Sequence, residues 1–174
     1  MRTLATATTA AFAGGALLSQ TVIVPSWRAA SPSTFLARFA TEGPVTGLTV
    51  FPFELASLAL LSIATYTAAR HHRPVRLWAS ATGCLAGTFA LLACFVPANS
   101  AMLDPAFPPG EVASALTTWN EMNWLRTGLA LAGALLALTA RLSDSNRHSA
   151  HPPAPGAGRG RCASPAPVPA DRIR

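Results

Sequence analysis

The chain has no lysine and one tyrosine, and only 11% of its residues carry charge. A soluble domain carries roughly 25% charged residues. So little charge cannot clothe a surface that meets water, and lipid is the expected solvent. The net charge of +6 is entirely arginine. Nucleic acid is the usual partner of so basic a chain, but these arginines gather in one loop and in the C-terminal segment, beside apolar runs. That placement orients membrane proteins, and no nucleic-acid partner is expected.

Other shortages exclude other chemistries. Cys84 and Cys94 lie ten apart in one apolar run and Cys162 lies far from both; there is no C-x-x-C. Neither a redox pair nor a zinc site is supported, and Cys84 and Cys94 read as small apolar side chains. No histidine falls within an apolar run: His71 and His72 follow the second, and His148 and His151 come after the fourth. Haem and membrane-embedded metal therefore lack ligands. With no glycine-rich phosphate loop either, no cofactor and no metal are expected.

What the sequence does have is four apolar runs: Leu4 to Val24, about Leu48 to Ala69, about Leu77 to Val96, and about Trp124 to Leu142. Each approaches the roughly 20 residues that a helix needs to cross the hydrocarbon, and helices are the form such runs take in lipid. The expected fold is an all-α integral membrane four-helix bundle over residues 1–142. The remainder, 143–174, is rich in proline, alanine and arginine and is expected to be a disordered cytoplasmic tail. The first run competes with a signal peptide. It is longer than a usual h-region and no small-x-small site ends it, which favours an uncleaved span.

Loop charges set the expected orientation. Arg2, the connection "RHHRPVR" (70–76) and the segment starting with Arg141 and Arg147 all fall on one side of a four-span chain. The positive-inside rule puts that side, with both termini, in the cytoplasm of a cell-membrane protein. In the first outer loop, "SPSTFLARFA" (31–40) offers Ser31 as a cap and Pro32 at the first helical position. It reads as a short helix on the membrane surface. "PPGEVASALTTWNEMNWLR" (108–126) reads as a lead-in to the fourth span.

Helical spacing gives each span an inward stripe: Thr6, Thr9, Ala13, Ala16 and Gln20 on the first; Glu54, Ser57, Leu61 and Thr65 on the second; Gly83, Gly87, Ala90 and Cys94 on the third; Trp119, Asn123, Arg126 and Ala130 on the fourth. Close helix packing explains the small residues. It does not explain the larger polar ones. Gln20, Glu54, Asn99, Asn123 and Arg126 all fall at one depth on the outer side, with Trp27, Trp119 and Trp124 at the same level. Glu54 and Arg126 are open to three readings: each snorkels to the interface, the two form a structural ion pair, or the pair is part of a site.

"FVPANSAM" (95–102), followed by "WNEMNWLRTGLALAG" (119–133), resembles the P-x-N and W…R signature of the anthrone oxygenase-like family of small four-span membrane proteins. The Trp27 region with "SPSTFLARFA" and the arginine-flanked connection 70–76 are similar to it as well. The resemblance covers about residues 4 to 142. It implies a four-helix membrane bundle and, for some members, oxidation of an anthrone to an anthraquinone by dioxygen without metal or flavin. Most bacterial members have no assigned activity, so membership does not by itself establish catalysis.

If the chain is such an oxygenase, Glu54 is the candidate base. Arg126 with Asn99 or Asn123 would hold the developing oxyanion, and Gln20, Asn123, Trp119 and Trp27 would line the substrate site. The competing reading is a non-enzymatic bundle that binds a lipophilic ligand or a partner protein. A transporter is disfavoured, because four spans are few and no inverted repeat is visible.

Overall fold

A computed structural model describes residues 1–71 and 75–149, with the side chains of 147–149 not described. The 25 C-terminal residues, Cys162 and His151 among them, and His72 and Arg73 lie outside the described residues. Among those described, the chain is helical with no strand: α1 (Arg2–Leu18), a π-turn (Ser19–Ile23), α2 (Val24–Arg28), α3 (Pro32–Arg70), α4 (Val75–Ala90), α5 (Leu92–Met102), a 3-10 turn (Pro109–Glu111) and α6 (Val112–Ser149). Together they make four spans long and apolar enough to cross a membrane. Consecutive spans pack side by side and the ring closes, with α1 lying against both α3 and α6, and α4 against both as well.

The helices outrun the sequence-based boundaries. The expected separate surface helix at 31–40 is instead the first turns of α3. Ser31 caps it, its hydroxyl accepting from the Thr34 N–H at 3.4 Å, and the helix then runs unbroken through Pro44 and Pro52. Proline removes a backbone donor and crowds the preceding turn, yet α3 carries both. The hydroxyls of Thr46 and Thr49 bond the carbonyls of Glu42 and Val45 at 2.8 Å each, within their own helix. At 39 residues, α3 is roughly 58 Å long at 1.5 Å per residue. It overshoots a hydrocarbon core of about 30 Å. The third span also continues through Pro97 to Met102; its break falls earlier, at Leu91.

The core of the bundle is built from small residues. Ala5, Ala13, Ala16, Ala64, Ala68, Ala81, Ala130, Ala137 and Ala140 are buried around Phe12, Leu61, Trp78 and Leu85. Without side-chain bulk the helices come close, and close packing is what holds helices together in lipid. Among the described glycines the closest fit is at Gly133, where an added Cβ would lie 2.5 Å from Leu85 Cδ2.

Of the expected third-span stripe only Gly87 faces the bundle, with Leu129 Cδ1 3.2 Å from where its Cβ would lie. Gly83, Ala90 and Cys94 are exposed, and the buried face of α4 is Trp78, Ala81, Leu85 and Thr88. Trp78 decides the register, because its indole N–H reaches Asp144 at 3.3 Å. Leu48, Leu55, Ile63, Leu135 and many other large apolar side chains point outward, as on a lipid-facing surface.

At the end carrying the termini, Arg2 Nη1 donates to Asp144 Oδ2 at 2.8 Å, and the Arg2 guanidinium lies 5.9 Å from the Trp78 ring centroid. Asp144 is buried. The expected start of a disordered tail at Ser143 is therefore corrected: α6 runs on to Ser149, and Asp144 ties α1, α4 and α6 together.

Candidate functional site

The polar layer lies at the end opposite Arg2 and the last turns of α6, and is organised by α6. Trp119, Asn123 and Arg126 follow one another at four and three residues, so they share a face, and each reaches a different span. Trp119 Nε1 donates to Asn99 Oδ1 on α5 at 2.9 Å. Asn123 Nδ2 donates to Gln20 Oε1 on the π-turn at 2.5 Å. Arg126 Nη2 donates to Glu54 Oε2 on α3 at 2.5 Å. One helix face thus bonds all three other spans, and the residues expected at one depth do meet.

Local geometry sets up each contact. The π-turn at Ser19–Ile23 inserts extra chain just before Pro25; such bulges recur at functional sites. It leaves Gln20 buried and pointing at α6, where its amide nitrogen also donates to Asn120 Oδ1 at 2.8 Å. Glu54 is fully buried one turn before Ser57. The Arg126 guanidinium lies 5.1 Å from the Phe12 ring centroid and 5.8 Å from that of Phe95, so two aromatic faces stabilise the cation while Glu54 fixes its direction. Glu54 Oε1 and Arg126 Nε are buried without a hydrogen-bond partner.

By contrast the buried hydroxyls are satisfied within their own helices. Thr9 donates to Ala5 O at 2.7 Å, Ser57 to Phe53 O at 2.6 Å and Thr127 to Asn123 O at 2.8 Å. They belong to the packing, as the small-residue stripes implied.

Beside this layer lies a cavity of about 610 Å³. Trp27, Trp119, Asn99, Asn123 and Arg126 line it, and Arg126 is the single charged residue among the lining residues. The rest of the wall is mostly apolar, with Val50, Phe51, Leu92, Phe95 and Val96 prominent. Gln20 and Glu54 do not line it. Gln20 stands behind Asn123 and Glu54 behind Arg126, so both act on the cavity through a neighbour. Above it, Trp27, Phe35, Phe39, Met102, Val112 and Leu116 form a second buried apolar cluster. Trp27 Nε1 donates to Glu42 Oε2 at 3.0 Å, and Arg38 pairs with the same carboxylate at 3.0 Å.

Sequence reasoning missed several of these residues. Asn120 sits beside Trp119, one turn before Asn123, and helical spacing could have shown it. Glu42 read only as a loop charge, although Arg38 four residues earlier was a signal for a pair. Phe12 and Phe95, the rings around Arg126, gave no signal in an apolar run. Among the described residues no group of histidine, cysteine, aspartate and glutamate is arranged to hold a metal ion.

Four apolar helices in a closed ring define a multi-pass membrane protein, with a polar layer and a cavity at one end. Set against family models, curated proteins and solved structures, the chain matches none.

Proposed function

We propose that the protein holds a lipophilic, ring-bearing small molecule in this cavity, with an acidic oxygen of that molecule on Arg126. One observation carries the reading. A largely apolar cavity of about 610 Å³ has a single charged side chain on its wall, Arg126, with Asn99 and Asn123 beside it. Ligand sites are typically apolar with a few convergent polar groups, and a cation held in place in a dry wall favours a phenolate, enolate or carboxylate oxygen. The arginine bias supports cytoplasmic termini in the cell membrane, with the cavity in the outer half of the bilayer.

The resemblance to anthrone oxygenases adds a reaction. A ring CH2 flanked by aromatic rings loses a proton to give an enolate, whose oxygen rests on Arg126 and Asn99 or Asn123. The enolate carbon bonds dioxygen, and the resulting hydroperoxide loses water. The sum is CH2 plus O2 giving C=O plus H2O, with dioxygen as the oxidant. Glu54 is the carboxylate bonded to Arg126. From behind Arg126 and off the cavity wall it orients the guanidinium, so the ring proton leaves to water and is regained by the peroxide oxygen.

One observation favours the non-enzymatic alternative: among the described residues, Arg126 is the one ionisable side chain that lines the cavity. The test is purified protein with anthrone in air, read by anthraquinone absorbance and by quenching of tryptophan fluorescence. The oxygenase reading expects turnover that falls on the order of 10²-fold in Arg126→Met, as for loss of an oxyanion donor. Quenching without turnover supports a binding protein, and neither signal sinks both readings.

A further inference from the structure

The roof and the side of the cavity differ in a way that says how it is filled. On the roof, Trp27 and Phe39 line the cavity and are each 2% exposed. They are locked into the aromatic cluster, with Trp27 against Phe35, Phe39 and Trp119 at centroid distances of 6.0, 5.3 and 5.9 Å. The floor and back are the buried polar layer. On the side, three large apolar lining residues are exposed: Leu48 at 74%, Val96 at 60% and Phe51 at 38%. They stand on the middle of α3 and on α5. An opening rimmed by leucine, valine and phenylalanine within a membrane span faces lipid chains and not water.

Gly47 stands on this rim. It lines the cavity, it is exposed, and a Cβ added there would meet nothing within 4 Å. The neighbouring rim position Gly43 is already filled, with the Phe39 ring 3.1 Å from where its Cβ would lie. Gly47 thus keeps this stretch of the rim clear of side-chain bulk.

We infer that the cavity is loaded sideways from within the bilayer, through the opening between α3 and α5 whose width Gly47 sets, by acidic lipophiles dissolved in the leaflet opposite the termini. The inference rests on the binding reading above and adds the route and the source. A molecule in the leaflet already carries its polar group near the headgroups and its apolar body below. Sliding in between α3 and α5 brings the acidic group to Arg126 without crossing the aromatic roof.

The probe is anthracene-9-carboxylate, which has three fused rings and one acid and accepts energy from tryptophan. Full-length protein in phospholipid nanodiscs is mixed with probe-loaded vesicles, and the loss of tryptophan emission gives the loading rate. Wild type is expected to load, and anthracene without the carboxylate to be held more weakly. Gly47→Leu is expected to slow loading by about tenfold or more, as restricted access lowers an association rate. Gly83→Leu, on the exposed face of α4 away from the cavity, is expected to load like wild type.

Should Gly47→Leu fail to fold, Gly47→Cys decides, in a chain whose three native cysteines are replaced by alanine. It is blocked after folding with a bulky apolar thiol reagent, and the block is expected to slow loading as well. Wild-type rates in the folded Gly47→Leu protein, or in the blocked cysteine variant, would overturn the side route in favour of arrival through the roof while leaving the binding reading intact. Absence of any probe uptake by wild type would overturn both.

Discussion

Arg126 and Glu54, 72 residues apart, meet through one hydrogen bond between Arg126 Nη2 and Glu54 Oε2. The carboxylate is fully buried, whereas the arginine side chain keeps 17% of its surface, on the cavity side. The pair thus has a hidden member and a presented one. Anchoring at the membrane surface does not require this arrangement; holding a cation at a fixed point on a cavity wall does.

The first prediction concerns this pair. Arg126→Met leaves Glu54 buried without its cation, and Glu54→Gln leaves Arg126 without its anion. Each is expected to destabilise by about 3–5 kcal/mol, the usual cost of breaking a buried pair. The double variant should cost clearly less than the sum. Arg126→Lys should not rescue, because lysine lacks the planar group that lies between Phe12 and Phe95 while bonding Glu54. Thermal unfolding in detergent is the measurement. Effects that add within about 0.5 kcal/mol would mean that the two residues do not interact.

The second prediction contrasts two glycines. A Cβ at Gly133 would lie 2.5 Å from Leu85 Cδ2 and 3.4 Å from Cys84 Cβ, and Leu85 is fully buried. Gly133→Ala is expected to cost about 1–3 kcal/mol through overpacking. At Gly83 nothing lies within 4 Å, and Gly83→Ala should be neutral or stabilising by up to about 1 kcal/mol from helix propensity. The reverse order of melting temperatures would put the close contact between α4 and α6 in the wrong place.

These glycines also show what the sequence could convey. Run length and charge made the four spans legible, because lipid imposes one form on every apolar run. The stripes of the first, second and fourth spans were legible because Gln20, Glu54 and Asn123 are costly to expose to lipid and set the phase. The third span carries no such residue before Asn99, and its many small side chains fit any phase; the stripe drawn through Gly83 and Cys94 was the wrong one. The polar layer was visible as a shared depth. The Glu54–Arg126 ion pair was one of the readings the sequence left open, and the two do meet; the pairing of Gln20 with Asn123 and of Asn99 with Trp119 was not legible, since shared depth does not fix partners. Nor was the placement of Glu54 behind the cavity wall, which depends on the rotation of α3 about its axis.

The third prediction concerns the end carrying the termini. Asp144 accepts from Arg2 at 2.8 Å and from Trp78 at 3.3 Å. Asp144→Ala is expected to cost about 1.5–3 kcal/mol, as for hydrogen bonds to a charged group. Truncation after Ser149 should leave the melting temperature unchanged, because the removed residues have little apolar surface to pack. A large loss on that truncation would show that the C-terminal residues hold the bundle.

The fourth prediction is topological. Reporters fused at Gly110 and after Arg147 should report outside and inside respectively, as the arginine bias requires. The same side for both would contradict four spans.

The fifth prediction concerns the roof. Trp27 is 2% exposed, and its indole N–H donates to Glu42, which Arg38 also holds. Glu42→Leu removes the acceptor and leaves a buried donor unpaired, at a cost of about 1–3 kcal/mol. Glu42→Gln keeps an acceptor oxygen and should cost less. The indole of Trp27 closes the cavity on the side away from the polar layer, so its release should also open that side to water. Acrylamide quenching of tryptophan emission should therefore rise in Glu42→Leu and stay near wild type in Glu42→Gln. Equal quenching in all three proteins would mean that the Trp27–Glu42 bond does not hold the roof, and that the aromatic contacts with Phe35, Phe39 and Trp119 suffice.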